Sequence, residues 1–386
     1  MKIRHFQVYQ PRCPNCMLQR VGSFLLQLQI RKQSKDIFDE DIVEEGQLFC
    51  SHCHMIYPIL LGIPIIVADP ARFIQQNMTH LLWPTQQSFF FQQWIGEHAG
   101  PTSSFEISRQ YLSTYGWSHF HDVDTEDQEE GMVPSNLPQI AEHISLLSSK
   151  QFPLDNVLNP HHETEDRLDS IKIVDVGSSV GRLSIEMLQR YFRADQDAIV
   201  LGVDMNFSMV ALAQKAIREG KIEYAKRKIG MTYEWRSFDK HFEQAQYVDY
   251  WVADALCLPF ENRTIDHAIC CNILDCVADP FMLLQELERI QAENGMISLI
   301  CPYDWSGNIN ESDKWIGGVQ QMGALQGNVE ATLHWILSQT SPIETLRQCH
   351  IVKETAHIPW RIRLHQRSQM HYSVHHIDFL SNRDGK

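Results

Sequence analysis

One run constrains this chain more than any other: Asp175-Val-Gly177-Ser178-Ser-Val-Gly181-Arg182. It follows the apolar segment Ile-Lys-Ile-Val and precedes a stretch in which Leu183, Met187 and Tyr191 recur at helical spacing. A short apolar run rich in β-branched residues reads as a buried strand, and a strand turning through glycines into a helix opens a βαβ unit. The glycines let the turn approach a ligand closely, and the first turn of the helix offers unpaired N–H groups. The alternation then continues. Strands are expected at AIVLGVD, YVDYWVAD, DHAICCNIL and MISLICPY, and helices at SMVALAQKAIREGKIEYAKRK and FMLLQELERIQAE. Strands alternating with helices imply a parallel sheet with right-handed crossovers, hence an α/β fold. Segments around residues 351–363 and 370–379 are expected to close it with an antiparallel hairpin.

A glycine turn of this kind is shared with dinucleotide-binding enzymes, so the ligand has to be read from its surroundings. The spacing is Gly-x-x-x-Gly with an acid two residues ahead of it. Asp204 ends the second strand, where a carboxylate can accept from ribose hydroxyls. Ala253-Asp254-Ala255-Leu256-Cys257-Leu258-Pro259-Phe260 follows the third. In this order, with NILDCVADP after them, these elements resemble the class I S-adenosylmethionine-dependent methyltransferases, a Rossmann-like fold. A degenerate nucleotide-binding domain is the alternative. The resemblance implies that Gly177, Ser178 and Gly181 frame the methionine portion of the cofactor, with Asp175 orienting the loop. It implies that Asp204 holds the ribose, Met205 packs on the adenine, Asp254 and Ala255 meet the adenine amino group, and Asn272 lines the site near the sulfonium.

Four further segments carry a closer resemblance. They are Leu112-Ser-Thr-Tyr115-Gly-Trp-Ser-His119-Phe120, Asn272-Ile-Leu-Asp275-Cys-Val-Ala-Asp279-Pro280, Cys301-Pro302-Tyr303-Asp304-Trp305 with Lys314-Trp315-Ile-Gly317-Gly318, and Ile358-Pro359-Trp360-Arg361-Ile362-Arg363-Leu364-His365-Gln-Arg367. Together they resemble the methyltransferase domain of ovothiol biosynthesis, which methylates a ring nitrogen of mercaptohistidine. The chain departs from that family at Leu364 and Asp304, and it lacks the iron-dependent sulfoxide synthase. The resemblance implies a polar, imidazole-like small-molecule acceptor. Tyr303, Trp305 and Trp315 would wall the pocket, Arg363 would bind a substrate carboxylate, and Tyr115, His119 and His365 would supply hydrogen bonds. Each aromatic has core packing as its alternative, and for His119 core packing is the favoured reading.

Cys13-Pro-Asn-Cys16 and Cys50-Ser-His-Cys53 offer four thiolates in two tight turns, the donor set of a structural zinc site, with iron as the chemical rival. The segment from Phe49 to Pro64 resembles the zinc-ribbon activator subunit of tRNA and protein methyltransferases. The ribbon is expected to act as a folding staple. The other six cysteines fall in apolar segments and read as buried thiols.

Three units are expected: a ribbon module at 1–70, a helical connector and acidic linker at 71–165 that could cover the substrate, and the methyltransferase domain at 166–386. The linker is marked by twelve acids against two bases between residues 122 and 169, with Pro134, Pro138, Pro153 and Pro160 interrupting any long helix. A net charge of −15 disfavours a bare phosphate backbone, so nucleic acid is a weak expectation. The longest apolar run, residues 57–68, is broken by Pro58 and Pro64 and is too short for a bilayer. No secretory signal opens the chain. A cytoplasmic enzyme with a small-molecule substrate and no membrane partner is therefore expected, and nothing in the sequence favours one oligomeric state. Two other functions stay open: a tRNA or protein methyltransferase guided by the ribbon, and a non-catalytic scaffold that binds S-adenosylmethionine.

Overall fold

The computed structural model describes residues 1–82, 88–127, 136–147, 170–319 and 321–381. Most of the expected acidic linker, with Pro134, Pro153 and Pro160, lies outside the described residues. Pro138 lies inside, in the first turn of the helix Leu137–His143.

Among the described residues thirteen strands are formed, in chain order. They are β1 (Leu26–Lys35), β2 (Asp41–Cys50), β3 (Ile56–Leu60), β4 (Ile63–Ile66), β5 (Ile171–Val176), β6 (Ala198–Asp204), β7 (Lys221–Ile229), β8 (Thr232–Asp239), β9 (Val248–Ala253), β10 (Ile265–Cys271), β11 (Gln291–Cys301), β12 (Cys349–His365) and β13 (Ser368–Ser381). Eleven of them share one sheet in the order β1-β2-β3-β4-β9-β6-β5-β10-β11-β13-β12. From β4 to β11 every pairing is parallel. β12 and β13 form the expected antiparallel hairpin, with β13 paired to β11. This is the α/β, Rossmann-like sheet that the strand–helix alternation implies.

The ribbon strands join this sheet directly. β1 to β4 pair antiparallel, and β4 then lies parallel to β9, with Ile65 opposite Val252 and Ile66 opposite Ala253. Buried side chains of the ribbon (Tyr9, Cys13, Cys16, Tyr57) belong to one core with Val174, Leu201 and Trp251 of the central strands. The Tyr9 hydroxyl reaches between two of those strands and donates toward the carbonyls of Ile173 (2.6 Å) and Ile199 (2.8 Å).

The other face is packed by the helices Arg182–Arg193 and Phe207–Arg218. The helices Phe89–Ala99 and Ser104–Phe120 lie beyond, the first on β8 and the second on β7 and β12; both are capped by serine, Ser88 and Ser103 accepting from backbone N–H groups at their starts. Two shorter helices, Pro70–Gln76 and Met78–Leu82, precede them. Two expectations are corrected. The stretch SMVALAQKAIREGKIEYAKRK is not one helix. The helix Phe207–Arg218 stops before Gly220, which adopts φ +64°, and residues 221–229 become β7, paired antiparallel to β8. Ile222 and Tyr224 of β7 are buried, so tertiary packing overrides the helical propensity of the Lys and Glu residues between them. The helix before the last parallel strand ends at Ile290, and β11 begins at Gln291, ahead of the expected start. Among the described residues no helix is long and apolar enough to cross a membrane.

Candidate active site

The parallel strands change winding direction between β5 and β10, because β6 and β9 lie to one side of β5 and β11 lies beyond β10. In such sheets the two connections leave the carboxyl edge on opposite faces and open a crevice between the strand ends. Gly177 follows β5 and Asn272 follows β10, so both stand at this crevice. A cavity of ≈280 Å³ lies there.

The turn after β5 is left-handed at three positions: Gly177 (φ +82°), Ser179 (φ +52°) and Gly181 (φ +86°). A Cβ on Gly177 would sit 2.2 Å from Ile273 Cγ2, and one on Gly181 would sit 2.4 Å from Tyr250 Cζ, so the turn closes only with glycine at both positions. The Tyr250 hydroxyl donates to the Gly181 carbonyl at 2.6 Å and fixes the far side of the loop. Gly177 and Ser178 line the cavity, whereas Gly181 starts the helix Arg182–Arg193 and is not among the lining residues.

Asp204, at the end of β6, lines the cavity. Its Oδ2 accepts from the Ser179 N–H at 2.9 Å and its Oδ1 from the Asn206 N–H at 2.8 Å, which ties the β6 end to the glycine turn. Burial raises its pKa, against these backbone donors. Asp175 also reaches the cavity, but its Oδ2 accepts from Ser184 Oγ at 2.6 Å. Burial, opposed by that bond and reinforced by Asp204, moves its pKa up to about 7. Three polar atoms at the wall are buried without a hydrogen-bond partner: Ser178 Oγ, Asn272 Oδ1 and His119 Nδ1. A glycine turn and a carboxylate closing the second strand, both at one cavity, suit an adenosyl cofactor.

Other residues picked from sequence lie elsewhere. Met205 is exposed and does not line the cavity; Met209, one helical turn further, does, and its sulfur accepts from Ser179 Oγ at 3.4 Å. Asp254 Oδ1 accepts from the Leu256 N–H at 2.9 Å in the turn after β9, and neither it nor Ala255 is a lining residue.

The acceptor half of the cavity comes from the long helix and the hairpin. Tyr115 and His119, spaced four residues apart on the helix, meet edge to face at 5.9 Å, and both line the cavity. Burial, and then Arg182, lower the His119 pKa to about 3, so the ring is neutral at physiological pH. Arg182 itself is held by Asp122 and Glu186.

Tyr303, Trp305, Arg363 and His365 are not brought to this cavity. Tyr303 (φ +58°) meets His375 Nδ1 through its hydroxyl at 2.6 Å and stacks on Trp305, which stacks on Trp315. The Arg363 guanidinium lies 5.2 Å from the centre of the Trp117 ring, and His365 Nδ1 accepts from the Arg367 N–H in the hairpin turn. From the hairpin it is Trp360 and Ile362 that line the cavity, and Tyr111, Asn206, Cys271, Ile273 and Cys276 are among its other lining residues. Asn206 caps the helix Phe207–Arg218 two residues after Asp204. Its Oδ1 accepts from the Ser208 and Met209 N–H groups.

At the other end of the sheet, Cys13, Cys16, Cys50 and Cys53 bring all four sulfurs within 4.8 Å of one another. The Cys13–Cys53 and Cys16–Cys50 separations are 3.5 and 3.8 Å. Bonds of about 2.3 Å to a tetrahedral ion imply sulfur–sulfur edges near 3.8 Å, so the cluster has the dimensions of a four-thiolate metal site. Cys13, Cys16 and Cys50 are buried, and the Tyr57 hydroxyl meets Cys13 Sγ at 3.0 Å.

Residues 174–299 match the family described as "Methyltransferase domain". No curated protein sequence matches the chain. Among solved structures, similarity is found to MccD protein, at 17% identity over 49% of this chain and 68% of that one, with a TM-score of 0.32. A SAM-dependent methyltransferase from Methanosarcina mazei aligns at 16% identity over 54% of this chain and 92% of its own, with a TM-score of 0.35. The Haemonchus contortus phosphoethanolamine N-methyltransferase 2, solved with phosphomonomethylethanolamine and S-adenosylhomocysteine, aligns at 16% identity over 52% of this chain and 36% of its own, with a TM-score of 0.31. The matched segment runs from inside β5 to inside β11 and holds the glycine turn, Asp204 and Asn272. Over residues 174–299 the chain is thus similar to a methyltransferase domain.

Proposed function

We propose that the chain is an S-adenosylmethionine-dependent methyltransferase acting on a nitrogen of a polar small molecule, with imidazole-bearing, histidine-derived compounds as the first candidates, and that its cysteine cluster holds one structural zinc ion. The observation that carries the reading is the continuity of the crevice. The glycine turn and Asp204 open into the same cavity as Tyr115 and the neutral ring of His119.

S-adenosylmethionine, when bound, supplies an electrophilic methyl group on a sulfonium. What remains for the protein is to hold an acceptor lone pair in line and to exclude water. Asp204 would accept from the ribose hydroxyls, and the turn at Gly177 and Ser178 would run along the methionine portion. His119 Nδ1, buried and unpaired, offers the acceptor a hydrogen bond. A neutral ring nitrogen needs no strong base before attack, and its proton can leave afterwards.

Labelled methyl transfer tests the reading. The purified chain is supplied with methyl-labelled S-adenosylmethionine and histidine-derived thiols, histidine or cell extract. Label is expected in a small histidine-derived product. Label confined to RNA or protein would overturn the small-molecule assignment. Metal analysis should return one zinc per chain, and iron in its place would reassign the cluster.

A further inference from the structure

From the wall chemistry of the acceptor half we infer that the molecule methylated here carries a positive charge beside its acceptor atom, as an amine or imidazolium group, and no phosphate or carboxylate that must enter the cavity. The inference rests on the methyltransferase reading and narrows its substrate class.

Three aromatic side chains, Tyr111, Tyr115 and Trp360, line the cavity together with the carboxylates of Asp175 and Asp204. Aromatic faces attract a cation through the ring quadrupole, and the attraction grows where water is excluded. Trp360 and Tyr115 are largely buried, while Tyr111 is half exposed at the mouth, so the ring wall runs from solvent inward.

The basic side chains nearest in sequence are engaged elsewhere. Alternation along β12 puts Trp360 and Ile362 on the cavity face, with Arg361 and Arg363 between and after them. Arg363 is spread over Trp117. Arg182, the cation closest to His119, spends its donors on Asp122, Glu186 and the His119 carbonyl. His119 is itself neutral. Among the described residues no lysine or arginine lines the cavity, so an anionic substituent held against these rings would find no cationic side chain to pair with. Burying an unpaired charge in that way is costly.

The reacting atom must still present a neutral lone pair to the sulfonium, so the charged group and the acceptor are separate atoms of one molecule. In the transfer, the acceptor nitrogen forms the new N–CH3 bond as the S–CH3 bond breaks. The sulfur keeps that electron pair and becomes a neutral thioether, and a proton then leaves to solvent, from the methylated nitrogen of an amine or from the other ring nitrogen of an imidazole.

The test uses pairs that share an imidazole ring and differ in the charge of its side chain: histamine against imidazole-4-acetate, and 3-(imidazol-4-yl)propylamine against imidazole-4-propionate. Binding to protein loaded with S-adenosylhomocysteine is measured by calorimetry, and methyl transfer is measured with labelled cofactor. The amine member should bind at least about 10-fold more tightly in each pair and should take the label preferentially. Tyr111→Arg, at the half-exposed mouth, should erase or invert the preference while S-adenosylhomocysteine still binds. Preference for the carboxylate members, or no binding of any member to the loaded protein, would overturn the inference. Failure to bind S-adenosylhomocysteine at all would instead sink the methyltransferase reading on which it rests.

Discussion

Asp175 and Asp204 belong to neighbouring parallel strands, yet their carboxylates have different work. Asp204 faces the cavity and accepts backbone donors from both sides of the crevice, so it sets the turn and awaits a further donor pair. Asp204→Ala should therefore lower affinity for S-adenosylhomocysteine by roughly 100-fold, since hydrogen bonds to an ionised group contribute about 1.5–3 kcal/mol each. Calorimetry checks this, and unchanged affinity would mean the ribose is held elsewhere. Asp175 is buried against Ser184, and its pKa of about 7 lies above the ordinary value of 3.8. Between those two values the unfolded chain has released a proton that the folded chain keeps, so this group makes stability fall as pH rises from about 4 to 7. Asp175→Asn keeps an acceptor for Ser184 and removes the titration. Urea unfolding at pH 5 and pH 7.5 should show the variant gaining on the parent at the higher pH; a gap that does not change with pH would contradict the burial account.

At the scale of elements, the parallel core was readable because its signals are local. β5, β6, β9 and β10 are short apolar runs, and each is followed by a glycine, an acid or an asparagine that marks its carboxyl end. The glycine turn and Asp204 could be placed for the same reason. β7 was hidden because Lys221, Glu223 and Lys226 give it a helix-like composition, and only its pairing with β8 and the burial of Ile222 and Tyr224 decide for strand. The acceptor wall was harder still. Tyr303 and Trp305 stand directly after β11 and look like wall residues, but the chain turns at Tyr303 through a left-handed conformation and hands the side chain to His375. Trp360 reaches the cavity because the hairpin folds back beside the long helix, a long-range event that no local pattern encodes. Met209 rather than Met205 lines the cavity because the helix that starts at Phe207 returns its third residue toward the crevice.

Across the whole molecule the ribbon and the catalytic sheet are one continuous structure. β4 pairs with β9 on one side and β3 on the other, Tyr9 bonds between β5 and β6, and Cys13 and Cys16 share a core with Trp251 and Leu201. Metal ligation by a four-cysteine cluster is folding free energy, because the unfolded chain holds no preformed site. Where the clamped segment packs into the main core, that energy stabilises the entire cooperative unit and not a separable module. Chelation of the metal is therefore expected to move a single calorimetric transition to lower temperature as a whole, and to weaken S-adenosylhomocysteine binding even though no cysteine of the cluster lines the cavity. Cys16→Ser should reproduce both effects, because Cys16 is fully buried beside Cys50 and its loss opens the ligand set from within. The opposite outcome is equally readable. If chelation splits off a small early transition and leaves the main one and the cofactor affinity in place, the ribbon melts independently, and the β4–β9 pairing carries little of the stability assigned to it.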